Sequence, residues 1–392
     1  MDFILTEAQE NLRKEIHDFF LNEIPIDFDG EIPPIAEQIQ SFQLALQKKA
    51  ADKGWLTASW PEDYGGLGMS GIEQAIINEE AGYWGLYFWP NLIGLTIAGP
   101  GLLLFGTEEQ KARFLPPIAK GDGVWLECLT EPNAGTDLAN VQLRAVLDGD
   151  DYVFNGQKVF ITGAFKADYL FTLAKTEVTI PKYKGLTLFL IPADTLGISR
   201  RPLRCMGGIQ TNEIFFDDAR VPKDCMLGQL NRGFYHCMAT FDYERSNTGA
   251  SAHAMRNLEE FVDYCKNTER DGKPLFEHPQ VQDALAQMAI EVEVWRLASW
   301  RTAWRFTQRE TLGPLDFDLD GYWWKTFAVR HCEKMMEIVG LYGLLRKGSK
   351  HCHLDGRLER RWQETRSLHG GGTLEMLKIV LAERVLGLPR KR

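Results

Sequence analysis

Apolar residues recur at helical spacing over the first third of the chain. This spacing predicts helices at Glu7–Phe20, Ile35–Ala51, Ile72–Trp84 and Thr107–Ile118. Thr107 is followed by two glutamates and is typical of a helix N-cap, because its hydroxyl can accept a hydrogen bond from a first-turn N–H. The pattern therefore predicts an N-terminal helical domain over residues 1–122.

The period changes after residue 122. Short runs rich in β-branched and aromatic residues, separated by turn residues, predict strands at Val153–Thr162, Tyr169–Ala174, Leu186–Ile191 and Glu213–Phe216. Helical spacing returns over residues 234–267, 279–310, 317–345 and 374–386. The order of helices, strands and helices predicts a β domain over residues 123–233 and a C-terminal helical domain over residues 234–392.

Composition narrows the class of protein. With 392 residues the chain suits two or three packed domains, and its net charge of −10 argues against a nucleic-acid surface. The seven cysteines include no Cys-x-x-Cys pair, which favours free thiols in a reducing compartment over disulfides or a metal site. The most apolar run, Leu92–Phe105, is too short to span a bilayer, and the first residues lack a signal-peptide pattern. We expect a cytoplasmic protein without a membrane partner.

The segment Leu129-Thr-Glu-Pro-Asn-Ala-Gly-Thr-Asp137 holds the most distinctive candidate chemistry. It predicts a strand end followed by a loop rich in donors. Thr130, Gly135 and Thr136 could present N–H and O–H groups to an acceptor-rich ring. The alternative is a plain Pro/Gly turn with an Asp cap.

Three further segments have both a functional and a plain interpretation. Gly156-Gln-Lys-Val-Phe-Ile-Thr-Gly163 is a strand that taken alone is more often core than cofactor site. Phe241-Asp-Tyr-Glu-Arg245, expected at the opening of a helix, could be a charged pair on a solvated face. Leu368-His-Gly-Gly-Gly-Thr-Leu-Glu-Met376 could place backbone donors at a helix N-terminus, although three glycines alone are a weak phosphate signal.

These segments together resemble the acyl-CoA dehydrogenase family. The first is similar to that family's Thr-Glu-Pro-x-Ala-Gly-Ser-Asp signature, and the second to its Gly-x-Lys-x-Trp-Ile-Thr-Asn stretch. The resemblance extends from Trp60-Pro-Glu-Asp-Tyr-Gly-Gly to the closing segment that ends at Leu388. It implies an α+β fold with an N-terminal helical domain, a middle β-barrel or sandwich domain and a C-terminal four-helix bundle.

The resemblance implies FAD as cofactor. The residues that it places at FAD are Leu129, Thr130, Gly135, Thr136, Phe160, Thr162, Arg270, Glu337, Gly340, Gly372, Thr373 and Glu375. The segments around Arg270 and Glu337 depart from the family pattern, which puts the adenosine half of that arrangement in doubt. Glu127 stands where the family usually has an aromatic residue beside the flavin.

The family's usual catalytic carboxylate is absent, because Gly371 occupies its position. In the isovaleryl-type branch the base is a glutamate directly before an arginine, and Glu244 falls on that position. We therefore expect Glu244 to be the catalytic base. The resemblance places substrate contacts at Thr136, Asp242, Arg245 and Gly371. His369 could titrate near neutral pH, but we expect it to cap or pack at the helix start.

The implied reaction is the α,β-dehydrogenation of an acyl thioester to its 2,3-enoyl thioester. The thioester is carried by CoA or by an acyl-carrier protein, and the glycine at position 371 leaves room for a branched or ring-bearing acyl group. The implied electron acceptor is an electron-transfer flavoprotein or O2, and the implied assembly is a homotetramer or heterotetramer. Two alternatives stay open: a non-catalytic partner subunit of a heteromer, and an oxidase acting on an acyl or aminoacyl group held on a carrier protein.

Overall fold

The computed structural model describes residues 3–25, 37–86, 90–163, 167–178, 181–208, 210–244, 248–308, 313–368 and 370–389. Arg245 and His369 lie outside these ranges, and only the backbone of Asp242 and Glu244 is described. In the described ranges, helices, one large sheet and again helices follow each other along the chain. The predicted fold class is confirmed.

The N-terminal domain consists of helices that begin at polar caps. Its helices are α1 (Glu7–Glu23), α2 (Glu37–Asp52), α3 (Gly71–Tyr83), α4 (Gly99–Phe105) and α5 (Glu108–Ala119). The predicted cap at Thr107 is confirmed, because its hydroxyl accepts from the Gln110 N–H at 3.2 Å and the Gln110 side chain accepts from the Thr107 N–H at 3.1 Å. A turn of π-helix, Gly94–Ala98, leads directly into α4. Such turns often occur at functional sites.

The middle domain is a sheet around a dense aromatic and aliphatic core. Its strands are β1 (Trp125–Cys128), β2 (Arg144–Asp148), β3 (Asp151–Thr162), β4 (Tyr169–Lys175), β5 (Leu186–Pro192), β6 (Ile198–Arg204), β7 (Gln210–Pro222) and β8 (Met226–Leu227). The strand order is β6-β7-β3-β2-β4-β5-β8, and β1 pairs in parallel with β4. Phe154, Phe171 and Phe189 are fully buried in the core. This core holds the loops at the strand ends.

The C-terminal domain packs long helices against one another. It contains α6 (Gly233–Glu244), α7 (Thr248–Asn267), α8 (Pro279–Thr307), α9 (Pro314–Val339), α10 (Arg357–Glu364) and α11 (Leu374–Val380). A small hairpin of β9 (Glu269–Arg270) and β10 (Lys273–Pro274) follows α7.

The segment Phe241–Glu244, expected to open a helix, lies inside α6, which begins at Gly233 and is described as far as Glu244. A second predicted helix ends earlier than its apolar spacing indicated. The predicted helix over residues 317–345 stops at Val339, because Gly340 has a φ of 71°, which is incompatible with a right-handed helix.

Glu79 ties the two helical domains together. This buried carboxylate accepts from Arg13 Nη2 at 2.7 Å, from Arg296 Nε at 2.5 Å and from the Trp300 indole at 2.8 Å. Three donors from α1 and α8 therefore offset the cost of burying a charge in α3. The contact fixes α8 of the C-terminal domain against the N-terminal domain.

All seven cysteines are free thiols, and Cys128, Cys225, Cys237, Cys265 and Cys332 are buried. Within the described ranges, no helix is both long and apolar enough to cross a membrane. The same ranges contain no group of three His, Cys, Asp or Glu residues placed to hold a metal ion.

His331 gives the fold a predictable pH dependence. Burial lowers the pKa of His331 to about 4, although the Glu291 carboxylate 3.2 Å away acts in the opposite direction. Between pH 6.5 and 4 the unfolded state therefore binds a proton that the folded state does not, so stability falls as pH falls. His331→Gln should remove about 3 kcal/mol of this loss. Urea titrations at several pH values across this window measure the free energy of unfolding. If that free energy changes equally with pH in both proteins, the prediction is wrong.

Candidate functional site

A buried ion pair holds the loop that begins at Leu129. The Lys158 ammonium, which is 0% exposed, donates to Glu131 Oε1 at 2.9 Å and to the Leu129 and Leu173 carbonyls at 3.0 and 2.7 Å. The Glu131 carboxylate also accepts from the backbone N–H groups of Gln142 and Leu143 at 2.6 and 2.8 Å. Burial lowers the pKa of Lys158, and Glu131 opposes that shift. The pair thereby joins this loop to β3.

Phe160, two residues after Lys158 on β3, is held in a strained conformation. Its φ is 58°, in the left-handed region, and the register of β3 against β7 shifts between Lys158 and Ile161. A bulge of this kind re-aims a side chain, and the left-handed conformation costs an aromatic residue roughly 1–3 kcal/mol. The Phe160 ring is nevertheless 57% exposed. Phe160 thus combines backbone strain with an exposed aromatic side chain.

The neighbouring loop and strand end present polar groups around this ring. Thr130 is half-buried, and its carbonyl accepts from the Val159 N–H at 2.9 Å, so the loop is bonded to β3 next to Phe160. Thr136 and Thr162 are exposed, and the space around Gly135 is open to at least 4 Å. Of the sequence-predicted residues, Leu129 and Thr130 are therefore held against β3 next to Phe160, and Gly135 and Thr136 follow on the same loop. Leu129 is buried, so its side chain belongs to the core of the sheet domain.

Helix α6 lies beside the same part of the sheet. A Cβ built on Gly101 would lie 3.1 Å from Thr240 Cγ2 and 3.6 Å from Phe171 Cε2, so this glycine lets α4 fit between α6 and β4. Phe171 is the register partner of the half-buried Glu127. Burial raises the pKa of Cys237 in α6, and the nearby Glu127 carboxylate adds to that rise. The face of α6 that carries Cys237 and Thr240 therefore borders β1, three residues before Thr130.

The glycine loop before α11 is anchored to α9. Gly371 and Gly372 have φ values of 64° and 93°, so both occupy conformations that other residues adopt only at a cost. The Lys325 ammonium donates to the carbonyls of Gly370 and Gly372. Thr373 caps α11 by accepting from the Met376 N–H at 3.3 Å. Glu375 is exposed in the first turn of α11.

The remaining predicted cofactor residues lie together at another end of the C-terminal domain. Arg270, in the small hairpin, donates from Nη2 to the carbonyl of Ile338, which precedes Gly340 by two residues. Glu337 is exposed and is 2.6 Å from Lys334 Nζ. The structure thus joins Arg270 to the 337–340 segment, but on elements separate from the strand that carries Phe160.

A cavity of about 270 Å³ lies elsewhere, where the turn at residues 206–208 meets α10. Its basic side chains are ion-paired: Arg346 with Glu359 at 3.0 Å and Lys347 with Asp355 at 2.6 Å. Of the described residues that line it, none is a predicted site residue. Four basic side chains and two carboxylates line the cavity, so its wall carries a net positive charge.

The chemistry-bearing residues that sequence reasoning missed are Lys158, Glu131 and Lys325. The first two were visible as members of the two motifs, and a buried Lys–Glu pair was a possible signal. Lys325 had no local signal, because it lies 45 residues from Gly370 and within an apolar and aromatic stretch of α9.

Family models match almost the whole chain. The N-terminal domain of acyl-CoA dehydrogenase matches residues 6–122, the middle domain matches residues 127–219 and the C-terminal domain matches residues 231–386.

Individual relatives match over their full length. The acyl-CoA dehydrogenase FadE26 of Mycobacterium tuberculosis is 31% identical over 98% of this chain and 98% of its own. The solved structure titled Tcur3481-Tcur3483 steroid ACAD has a TM-score of 0.89 and 31% identity, covering 100% of both chains. The ChsE4-ChsE5 complex from Mycobacterium tuberculosis has a TM-score of 0.88 and 31% identity, also covering 100% of both chains. The chain belongs to the acyl-CoA dehydrogenase family of flavoprotein oxidoreductases.

Proposed function

We propose that this chain binds FAD and dehydrogenates a branched or ring-bearing acyl-CoA thioester between Cα and Cβ. The observation that carries the proposal is Phe160, a strained and exposed aromatic residue on β3, two residues after the buried Lys158. Strain of this kind persists only where the surrounding structure enforces it, and it clusters at ligand sites. An enzyme that positions a planar cofactor needs such a rigid aromatic surface.

The residues around Phe160 fit the flavin half of FAD. The ring offers an apolar face, the exposed hydroxyls of Thr136 and Thr162 offer hydrogen bonds, and the open space at Gly135 allows close approach to the backbone. When bound, FAD supplies the acceptor for the hydride that leaves the substrate Cβ. The glycine loop with Thr373 and Glu375, and the Arg270–Gly340 end, are the proposed contacts for the rest of the cofactor.

Glu244 is the proposed base that removes the proton from the substrate Cα. Position 244 lies seven residues after Cys237 and four after Thr240, so helical spacing places it on the face of α6 that borders β1. Asp242 and Arg245 are the proposed neighbours on the substrate side.

A panel of thioesters tests the proposed reaction. Purified protein is mixed anaerobically with straight-chain, branched and ring-bearing CoA thioesters, and with the same acyl groups on pantetheine. We expect the visible flavin band to bleach fastest with a branched or ring-bearing CoA thioester. If the pantetheine esters bleach the flavin and the CoA thioesters do not, the carrier-protein oxidase is favoured. If no ester bleaches the flavin, dehydrogenation is refuted. Reoxidation by electron-transfer flavoprotein or by O2 then identifies the electron acceptor.

The proposed preference for branched or ring-bearing acyl groups can be tested by substituting Gly371. A methyl group at this position narrows the space that the missing carboxylate leaves, and φ of 64° adds strain of about 1 kcal/mol. Gly371→Ala should therefore slow flavin reduction by a ring-bearing thioester on the order of tenfold more than by a straight-chain one. The ratio of the two rate constants is the measurement, because general damage to the enzyme lowers both equally. An unchanged ratio would show that position 371 does not line the acyl site.

One specific observation favours a second function, that of a partner subunit with an incomplete site. The Arg270 guanidinium already donates to the carbonyl of Ile338, the residue after Glu337, so a phosphate group would have to share this donor. One structural relative is titled as the ChsE4-ChsE5 complex, and the steroid-titled relative also names two chains. The ratio of flavin to protein in the chain purified alone separates the cases. One FAD per chain supports a self-sufficient homotetramer, whereas FAD retained only after co-expression with a related chain supports the heterotetramer.

A further inference from the structure

The cavity between the 206–208 turn and α10 is enclosed by segments that approach each other closely at two glycines. Gly356 has a φ of 71°, and a Cβ built on it would lie 2.2 Å from the backbone N of Lys347. Gly207 has a φ of 80°, and a Cβ built there would lie 2.7 Å from Glu364 Cγ. A larger residue at either position would push the walls apart. This close packing gives a defined shape to the enclosed space of about 270 Å³.

Two cations at the outer edge of the cavity can turn towards a ligand at low cost. Arg346 donates from Nε to Glu359 at 3.0 Å, and its side chain is 76% exposed. A guanidinium carries donors on all three nitrogens, so an anion can be bound through Nη1 and Nη2 while this bond is kept. Lys347 pairs with Asp355 at 2.6 Å, and both side chains are more than half exposed. An exposed pair contributes at most about 1 kcal/mol, so an anion can share or replace that partner.

Two more deeply placed cations supply charge that is held in position. Arg357 donates from Nη1 to Glu260 at 2.7 Å, and Arg360 Nε lies 3.6 Å from Glu364 Oε1. Neither Glu260 nor Glu364 is among the described residues that line the cavity. These carboxylates therefore fix the two guanidinium groups without adding negative charge to the wall itself.

The cavity lies where the sheet domain meets the C-terminal domain. Gln363 of α10 accepts from the Gly207 N–H at 2.9 Å through Oε1, and its Nε2 donates to Glu359. The 206–208 turn leads into β7, which pairs with β3 on both sides of the bulge that carries Phe160. A ligand in the cavity would contact the turn and α10 together, so its binding would brace this junction.

We propose that this cavity binds the phosphate group of a small ligand. The inference does not depend on the proposed dehydrogenation, since none of the described lining residues is a predicted site residue. Guanidinium groups match the geometry of phosphate oxygens and bind them in pairs, and the net positive wall favours an anion. The cavity is smaller than the roughly 300 Å³ at which pockets for drug-sized ligands begin, so it suits phosphate or a small phosphomonoester.

Calorimetric titration with inorganic phosphate tests the site. The purified protein is titrated at low ionic strength, where salt screens the wall least. Arg346→Gln should weaken phosphate binding roughly tenfold, because it removes a charge-assisted hydrogen bond. Asp355→Asn should strengthen binding about threefold, because it removes one of the two wall carboxylates. Asparagine tolerates the φ of 52° at this position. The two substitutions thus act in opposite directions, which general damage to the protein cannot produce.

Lys223→Gln is the matched control. Lys223 forms an exposed pair with Asp150 beyond the other end of β7, so this variant should bind phosphate like the wild type. Lys347→Gln provides a second variant that should weaken binding. If the wild type does not bind phosphate, or if the variants of Arg346, Lys347 and Asp355 all keep its affinity, the cavity is not a phosphate site.

Two further measurements identify the ligand and the effect of its binding. Tighter binding of glycerol 3-phosphate than of inorganic phosphate would assign the cavity to an organic phosphate, and equal or weaker binding would assign it to phosphate itself. Phosphate should also slow hydrogen exchange of the peptide covering residues 205–216 in the wild type, but not in Arg346→Gln at the same concentration. Unchanged exchange in the wild type at saturating phosphate would overturn the bracing of the junction.

Discussion

Glu244→Gln is expected to retain FAD but to lose flavin reduction by roughly 10²–10⁴-fold, the usual contribution of a general base. The amide keeps the size of the side chain and cannot accept the Cα proton. Binding of substrate should change little, because the thioester and the CoA do not depend on that carboxylate. The measurement is the rate constant for bleaching of the flavin band on anaerobic mixing with the best thioester, together with the flavin-to-protein ratio.

The sharpest control for this variant is Glu127→Gln. Glu127 is a half-buried carboxylate on β1, beside α6, and is thus the other acid near the proposed site. If Glu244 is the base, Glu127→Gln should keep most of the reduction rate. Near-normal flavin reduction in Glu244→Gln, together with lost flavin reduction in Glu127→Gln, would show that the base is Glu127 on β1. Slow reduction in both variants with normal FAD content would indicate that the two carboxylates act together.

Features that depend on neighbouring residues were readable from the sequence. The cap at Thr107 and the exchange of helical for strand spacing near residue 122 both follow from local patterns. The interpretation of Phe241-Asp-Tyr-Glu244 as the opening of a helix was wrong, because that helix already begins at Gly233, eight residues earlier.

Contacts between distant residues account for the rest of what the sequence could not supply. Lys158 meets Glu131 across 27 residues, and Lys325 meets Gly370 across 45. Lys325 does not stand out locally, because it lies in an apolar and aromatic stretch where a buried charge is not expected. The strained φ of Phe160 is equally invisible, since the bulge that produces it depends on the register with β7. The motifs located the rim of the site, and tertiary packing determined its geometry.

Lys158→Met is expected to lower the free energy of unfolding by about 3–5 kcal/mol. The substitution preserves the volume of the side chain but leaves the Glu131 carboxylate buried at 7% exposure without its cation. Two backbone carbonyls, those of Leu129 and Leu173, lose their donor at the same time. Because these groups hold the loop under Phe160, the variant should also bind FAD more weakly.

Lys182→Met is the matched control for this prediction. Lys182 pairs with Asp137 at the end of the same loop, but its side chain is 48% and that of Asp137 58% exposed. An exposed pair contributes at most about 1 kcal/mol, so this variant should unfold almost like the wild type. Urea titrations of the wild type, Lys158→Met and Lys182→Met provide the comparison. The double variant Glu131→Gln with Lys158→Met should recover part of the lost free energy of unfolding, because it removes the unpaired charge. Equal stability of the two single variants would mean that the buried pair does not support the loop, and Phe160 would then need another cause for its strain.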